Sequence, residues 1–458
     1  MKQQTLGSIA ELAGATLTPA SAASTPVKAI SIDTRTIDTG DVYMPIIGER
    51  LDGHQFIEGA FEKGAVACFH DAAHPIDADK PLLTVDDTTA AFTRLAQHFR
   101  ETLDVKMIGI TGSNGKTTTK DIVYSVLRHV FRTKKTTGNL NNQIGVPRTL
   151  LQLDEDTEVA VVEMGMSEFG EISHLTHLVH PDIAVITNVG AVHLEQLKTQ
   201  ENVAQAKLEI LEGMGPEGLF LYNYDNEILR DAVAARDITP RVVSYGTADG
   251  ADVKISLVKA TPIETAFTLD GTPFTVDLIG AYQMYNAAVA VIIARELGLT
   301  DAQIQDGLKV SDRTPWRTEL GHFDGFDILI DVYKSNPPSL REALETAALL
   351  QGYNHKIAIL GDMLELGRDE LDIHREIGRK LNPDVFDAVL FYGALSKAMY
   401  EGALENFGPE RAFHFSSKPD LVDQAKYLIR PNTLVLIKGS RAMRLEEVVE
   451  SLSGVTAR

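Results

Sequence analysis

The sequence predicts an α/β protein in three domains, and three observations predict it. The chain has 458 residues, too many for one ordinary hydrophobic core. From Val105 onward, short apolar runs alternate with helix-like segments, the signature of a parallel sheet covered by helices. A second, smaller alternation of the same kind, Rossmann-like in pattern, begins near Asp312 beyond a polar Asp-Arg-Thr-Pro cluster. The expected domains are therefore 1–103, 104–311 and 312–458.

The first domain mixes short strands (Lys28 to Ile32, Asp41 to Ile46, Ala65 to Phe69, Leu82 to Val85) with short helices. It closes on a helix from Thr88 to Leu103 that carries Phe92, Leu95, Ala96 and Phe99 on one face. The second opens with the strand Val105 to Ile110 and a helix from Thr117 to Val130. Strands Glu158 to Met164, Asp182 to Asn188 and Gly218 to Asn223 follow, with a helix over Glu201 to Met214. A strand-rich stretch (Ala251 to Ile279) and a helix from Asn286 to Leu297 complete it. The third carries four apolar strands: Asp327 to Tyr333, Lys356 to Gly361, Ala388 to Tyr392 and Thr433 to Lys438.

Composition narrows the function classes. A net charge of −21 argues against a general nucleic-acid binder, because phosphate backbones are held by basic surface. The N-terminal run lacks the apolar core of a signal peptide. No apolar stretch approaches the ~20 residues that span a bilayer. The single cysteine, Cys68, sits in an apolar run and reads as a buried strand thiol. A cytoplasmic protein is expected.

The sharpest local feature is Gly109-Ile110-Thr111-Gly112-Ser113-Asn114-Gly115-Lys116-Thr117, a strand, a glycine-rich turn and a helix start. Such a turn lets backbone N–H groups of Gly112 to Thr118 close on phosphate, with the helix N-terminus adding partial positive charge. Lys116 would reach the terminal phosphates and Thr117 would offer its hydroxyl to Mg²⁺. The first glycine lies one position earlier than in the general phosphate loop. Glu163 ends an apolar strand, where it either faces this loop as a hard oxygen ligand for Mg²⁺ or caps the strand at the surface. On residue type alone, His193 reads as structural and Lys207 as an ordinary solvated side chain.

The loop and five further runs together resemble the Mur ligase family of peptidoglycan synthesis and its relatives, the folylpolyglutamate synthases. The runs are Thr137 to Pro147 (TGNLNNQIGVP), Glu163-Met164-Gly165-Met166 with Gly170-Glu171-Ile172, Thr187 to Leu194 (TNVGAVHL), Leu360 to Gly367 (LGDMLELG) and Lys438-Gly439-Ser440-Arg441. The first and fourth are similar to the branch of the family that adds D-alanyl-D-alanine to UDP-N-acetylmuramoyl-tripeptide. That resemblance implies an N-terminal UDP-sugar-binding domain, a central ATPase domain and a C-terminal Rossmann-like domain. It implies an ATP-dependent, ADP-forming amide ligase of cell-wall synthesis, hence of cell shape and division, working as a monomer. ATP would phosphorylate the substrate carboxylate, and the dipeptide amine would displace phosphate. It also implies two Mg²⁺ ions, with Glu163 and His193 as metal ligands beside Thr117 and with Lys207 carbamylated.

The substrate ends are less regular. Thr34 and Arg35 resemble the family's pyrophosphate contacts, although an Asp33–Arg35 surface pair reads equally well. Asn139, Asn141 and Asn142 suit either turns or recognition of sugar and peptide amides; Asn139 and Asn142 are taken as substrate contacts. By the same resemblance Asn286 belongs near adenine, Asp331 and Tyr333 near the nucleoside, and Arg313 or Arg317 near the phosphates. Tyr282 and Gln283 stand where many relatives have His-Asn. Lys334 stands where the family has asparagine, either reaching the ATP phosphates or facing solvent. Ile330 replaces an aspartate. Gly361-Asp362-Met363 follows a strand of the third domain whose carboxyl-end loops should face the central domain; the third domain would capture the dipeptide and close over ATP from a hinge near 311. Two alternatives stand beside this reading: another ligase of the Mur or folylpolyglutamate type, and a nucleotide-binding homologue without turnover. The third residue of the tripeptide (lysine or diaminopimelate) and a preference for D-Ala-D-lactate are not legible.

Overall fold

The computed structural model describes residues 4–454 apart from 49–50, 77–78 and 311–313. Three main sheets follow one another along the chain. The first runs in the order Thr16–Thr18, Leu82–Val85, Ala67–Asp71, Val42–Tyr43, Ile30–Ser31, parallel except for its first pair. Cys68 is buried on its central strand, and burial pushes its thiol up to about 12. The thiol is therefore inert at neutral pH.

The central sheet has nine strands. Lys106–Thr111 lies between Val159–Glu163 and Ile183–Ile186, both parallel to it. Leu219–Asn223 and Arg241–Gly246 extend one side and Thr133–Lys135 forms the other edge; an antiparallel extension (Val253–Ala260, Thr265–Leu269, Thr272–Val276) completes the sheet. Strand alternation sends Met107, Ala160, Val162 and Ala184 into a core shared with the first section. Ile108, Ile110, Val161 and Val185 go to the opposite face, under the helices Lys116–Leu127 and Gln283–Glu296. The strand order reverses around Lys106–Thr111, so three carboxyl ends flank one crevice, where open α/β sheets bind ligands.

The third sheet runs Glu319–Phe323, Phe326–Asp331, Thr433–Lys438, His355–Gly361, Ala388–Tyr392, Ala412–Phe415. Sequence reading found its four central strands and missed both edges, which are short and half-buried and so lack the apolar run that betrays a core strand. The helix expected over 201–214 is also corrected. It is α-helical only over Gln200–Leu208 and tightens into a 3₁₀ turn at Glu209–Gly213. There the Glu209 carboxylate accepts from Gly170 N and Ser173 N, at the uncapped start of the helix Glu171–Val179. A carboxylate at a helix N-terminus is favoured by the exposed N–H groups and their dipole.

Candidate active site

The turn after Thr111 is shaped by two glycines. Gly112 has φ +150°, and a Cβ there would run into Thr187 Oγ1. Gly115, at φ +80°, begins the helix Lys116–Leu127 without a side-chain cap. A Cβ on it would lie 2.6 Å from Asn286 Oδ1. The first N–H groups of that helix are thus left for an anion. Neighbouring strands hold the turn in place. Ser113 N donates to Asn188 O, Asn114 N to Asn188 Oδ1 (2.9 Å), and Gly190 N to Ser113 Oγ (2.9 Å). Lys116 Nζ folds back onto Gly112 O at 2.7 Å. Burial, with Lys334 nearby as a second cause, lowers Lys116 to about 7.

Glu163 is paired in register with Ile110, so its side chain emerges at the mouth of the loop. It is 1% exposed, and Oε1 accepts from Thr117 Oγ1 (3.1 Å) and Asn141 Nδ2 (2.7 Å). Oε2 is buried without a hydrogen-bond partner. This orphaned oxygen beside a threonine hydroxyl is a donor set that fits a hard divalent cation. Its burial rules out the surface-capping reading of Glu163 and places the carboxylate beside the loop.

His193 follows the Ile183–Ile186 strand and lines the same cleft. Its Nδ1 lies 3.0 Å from Glu365 Oε2, a contact from the third section. With Nδ1–H donated to that carboxylate, Nε2 keeps a lone pair, the arrangement that a hydrogen-bonded carboxylate imposes on ligating histidines. Burial lowers the His193 pKa, and the Glu365 hydrogen bond opposes it. Lys207 is not the solvated lysine its composition suggests. It is 2% exposed, and burial, with the charges of Lys116 and Lys334 behind it, lowers its pKa well below the ordinary value.

The cleft has a volume of about 610 Å³ and gathers Ser113 to Thr118, Asn139, Asn142, Glu163 and His193 from the second section. Asn286, Arg317, Asp331, Tyr333 and Lys334 also line it. Arg317 stacks its guanidinium 4.0 Å from the Tyr333 ring centroid, and its buried Nε has no hydrogen-bond partner. Asn286 accepts from Thr119 Oγ1 (3.1 Å) and donates to Gln283 Oε1 (2.9 Å), which explains how Gln283 is used. Asp331 reaches the cleft with Oδ2 held by Lys438 at 2.6 Å. Lys334 is half-buried and lines the cleft, where its charge acts on Lys116, His193 and Lys207. Asn114 and Asn336 exchange side-chain hydrogen bonds of 3.1 and 2.7 Å across the two sections. Arg313 lies outside the described residues.

Thr34 and Arg35 do not join this cleft. Arg35 is paired with Asp33 at 2.8 Å, and that hydrogen bond holds Asp33 down at about 2. Asn142 Oδ1 accepts from Ile144 N and Gly145 N, starting the helix Gly145–Leu150. Lys120 and Glu365 were passed over by sequence reasoning, and Asn141, weighed there as a turn former or an amide contact, donates instead to Glu163. Among the described residues, one trio of His and carboxylate donors gathers within 4.8 Å elsewhere: Asp52, His54 and His74. The two imidazoles are stacked face to face, centroids 4.1 Å apart at 12°. Their in-plane lone pairs therefore do not converge on one ion.

A parallel-sheet section with a phosphate loop, a buried metal-type carboxylate and a second α/β section docked over both defines a nucleotide-dependent α/β enzyme. Comparison with known proteins makes this specific. Family models described as Mur ligase middle domain, Mur ligase glutamate ligase domain and Mur ligase family catalytic domain match residues 110–294, 316–441 and 26–100. The chain is 38% identical over 456 residues to the UDP-N-acetylmuramoyl-tripeptide–D-alanyl-D-alanine ligase of Bacillus subtilis, covering 99% of each. It is similar to a crystal structure of MurF from Acinetobacter baumannii, with TM-score 0.86, 28% identity and coverage of 98% and 99%. It is also similar to MurF ligase from Thermotoga maritima in complex with ADP, with TM-score 0.81, 26% identity and coverage of 93% and 97%. The chain belongs to the Mur ligase family.

Proposed function

We propose that this protein is an ATP-dependent ligase that joins D-alanyl-D-alanine to UDP-N-acetylmuramoyl-tripeptide through an acyl phosphate, in peptidoglycan precursor synthesis. The observation that carries the chemistry is the buried Thr117–Glu163 contact at the mouth of the phosphate loop, with Lys116 beside it. The substrate pair follows the relatives matched over their full length.

Amide formation from a carboxylate needs a leaving group, because a carboxylate is a poor electrophile. A tripeptide carboxylate oxygen attacks the γ-phosphorus of ATP, and ADP leaves. The dipeptide amine then attacks the acyl carbon, and phosphate departs with that oxygen. Such transfer depends on position and charge neutralisation. Lys116 and the N–H groups from Gly112 to Thr118 would hold the β- and γ-phosphates, with Arg317 and Lys334 adding positive charge. Thr117 and Glu163 would hold one Mg²⁺, with His193 and Lys207 beside a second; bound there, magnesium neutralises phosphate oxygens. Burial disfavours the ammonium of Lys207, and the neutral amine is the nucleophilic form that carbon dioxide carbamylates, which supports an adduct on Lys207.

The N-terminal section, through Thr34 and Arg35, would hold the uridine diphosphate end, with Asn139 and Asn142 on the muramoyl-peptide. Asn286, Asp331 and Tyr333 would face the nucleoside. The third section would close over ATP from a hinge near 311 and receive the dipeptide. The setting is the cytoplasm, where ATP is supplied; no helix among the described residues is long and apolar enough to cross a membrane.

The test incubates the protein with UDP-N-acetylmuramoyl-tripeptide, ATP and D-Ala-D-Ala and follows phosphate release, with lysine and diaminopimelate tripeptides and D-Ala-D-lactate as parallel arms. Release that requires both substrates is expected. Release with folate and glutamate in their place would overturn the substrate assignment, and no release with any pair would overturn the enzyme.

A further inference from the structure

Lys120 is the fourth residue past Lys116 on the same helix, so both lie on one face, Lys116 reaching back to Gly112 O of the phosphate loop and Lys120 reaching Gly138 O. It is 0% exposed, unusual for an ammonium. Its Nζ donates to Gly138 O at 2.8 Å, lies 3.7 Å from Glu163 Oε2 and 3.5 Å from Asp121 Oδ1. Oε2 is the oxygen of Glu163 that lacks a hydrogen-bond partner. The other oxygen accepts from Asn141, which belongs to the same 137–144 loop as Gly138. Both ends of the Glu163 carboxylate thus face this loop, one directly and one through Lys120. Burial lowers the Lys120 pKa, while Asp121 and Glu163 hold charge on it.

We propose that Lys120 is a positioning residue that couples cation binding at Glu163 to the seating of the muramoyl-peptide on the 137–144 loop. Without a cation, its ammonium donates to Gly138 O and is drawn toward Glu163 Oε2, 3.7 Å away, by charge alone. A divalent cation taking Oε2 replaces that attraction with repulsion and presses the ammonium toward Gly138 O and Asp121, which fixes the loop that carries Asn139 and Asn142. Cation and UDP-substrate then favour one another, and by linkage the effect is reciprocal. The inference rests on the proposed reading of Glu163 as the cation carboxylate and of that loop as a substrate contact.

The signs separate this role from a structural one. Lys120→Met keeps length and apolar volume but removes the charge. It relieves repulsion of the cation and cuts the loop tether, so Mn²⁺ should bind several-fold tighter and UDP-N-acetylmuramoyl-tripeptide about tenfold weaker. The measurement is Mn²⁺ affinity by electron paramagnetic resonance, with and without UDP-N-acetylmuramoyl-tripeptide, on wild type, Lys120→Met and Glu163→Gln. The diphosphate's own affinity for Mn²⁺ is common to all three and cancels. Wild type should gain about fivefold or more in Mn²⁺ affinity when the UDP-substrate is present, and Lys120→Met should lose that gain. No gain in wild type overturns the inference without recourse to any variant. A Lys120→Met protein that weakens both ligands, or keeps the wild-type gain, overturns it too. If Glu163→Gln leaves Mn²⁺ affinity unchanged, the reading of Glu163 itself falls, and the inference with it.

Discussion

Replacing Lys207 with methionine should make the protein more stable and nearly inactive, a combination that an ordinary buried lysine would not give. The side chain is 2% exposed, with no hydrogen bond or ion pair at Nζ among the described residues and with Lys116 and Lys334 as cationic neighbours. Methionine fills the same space without a charge, so no favourable contact is lost. Exchanging buried ionic groups for apolar ones of equal volume stabilises by about 1–4 kcal/mol. Burial already disfavours the ammonium form of Lys207, so the lower end, about 1–2 kcal/mol, is the appropriate figure. At roughly 2–4 °C per kcal/mol for a domain of this size, the melting temperature should rise by about 2–8 °C. Turnover should fall by about 10²–10³, the scale for losing one preorganised charge-stabilising group. Differential scanning fluorimetry of the ligand-free protein and ADP release read the two effects. A melting temperature that falls, with turnover retained, would refute both the burial argument and the assignment of Lys207 to the site.

Two further outcomes follow from the titrating groups. Lys116 is lowered to about 7 by burial in the free protein, and ATP phosphates favour its ammonium form. Binding above that pH should therefore take up as much as one proton, and affinity should fall by up to about tenfold per pH unit; calorimetry in buffers of different ionisation heat measures the uptake, which Lys116→Met should abolish. In the N-terminal section, His74 lies 2.7 Å from Asp71 and 2.9 Å from Asp52, and the Asp71 hydrogen bond raises its pKa. A raised histidine contributes stability in full below its unfolded value and loses it as pH rises through the folded one. His74→Ala should thus lower the melting temperature near pH ~6 and much less near pH ~9, with equal losses at both contradicting the charge reading.

How far the sequence could be read depended on whether the evidence lay along the chain or across it. Glu163 was visible because it ends an apolar strand, and parallel pairing with the loop strand then fixes its place. The phosphate loop was visible because glycine spacing is local. The contacts of Asn141 and Glu365 were not legible because they act through space, on a carboxylate 22 residues away in the first case and on a histidine of another section in the second. Lys120 left one usable signal, its i+4 spacing from Lys116, which places both on one helix face. Lys207 gave none in its residue pattern, since a lysine among alanines and glutamine reads as solvated until the packing of its helix is known, and only the family resemblance singled it out. The break at Glu209 was hidden for a related reason. The carboxylate serves a different helix 39 residues back, and helical periodicity carries no trace of that.

Activation of the carboxylate is read most directly from the path of one oxygen atom. The tripeptide, labelled with heavy oxygen in its terminal carboxylate, should be turned over with ATP and D-Ala-D-Ala and the released phosphate examined by mass spectrometry. Passage through an acyl phosphate predicts one labelled oxygen in each phosphate, because the carboxylate oxygen that attacked the γ-phosphorus leaves with it. Phosphate free of label, formed alongside the amide product, would contradict activation of the carboxylate at the Lys116–Thr117–Glu163 site.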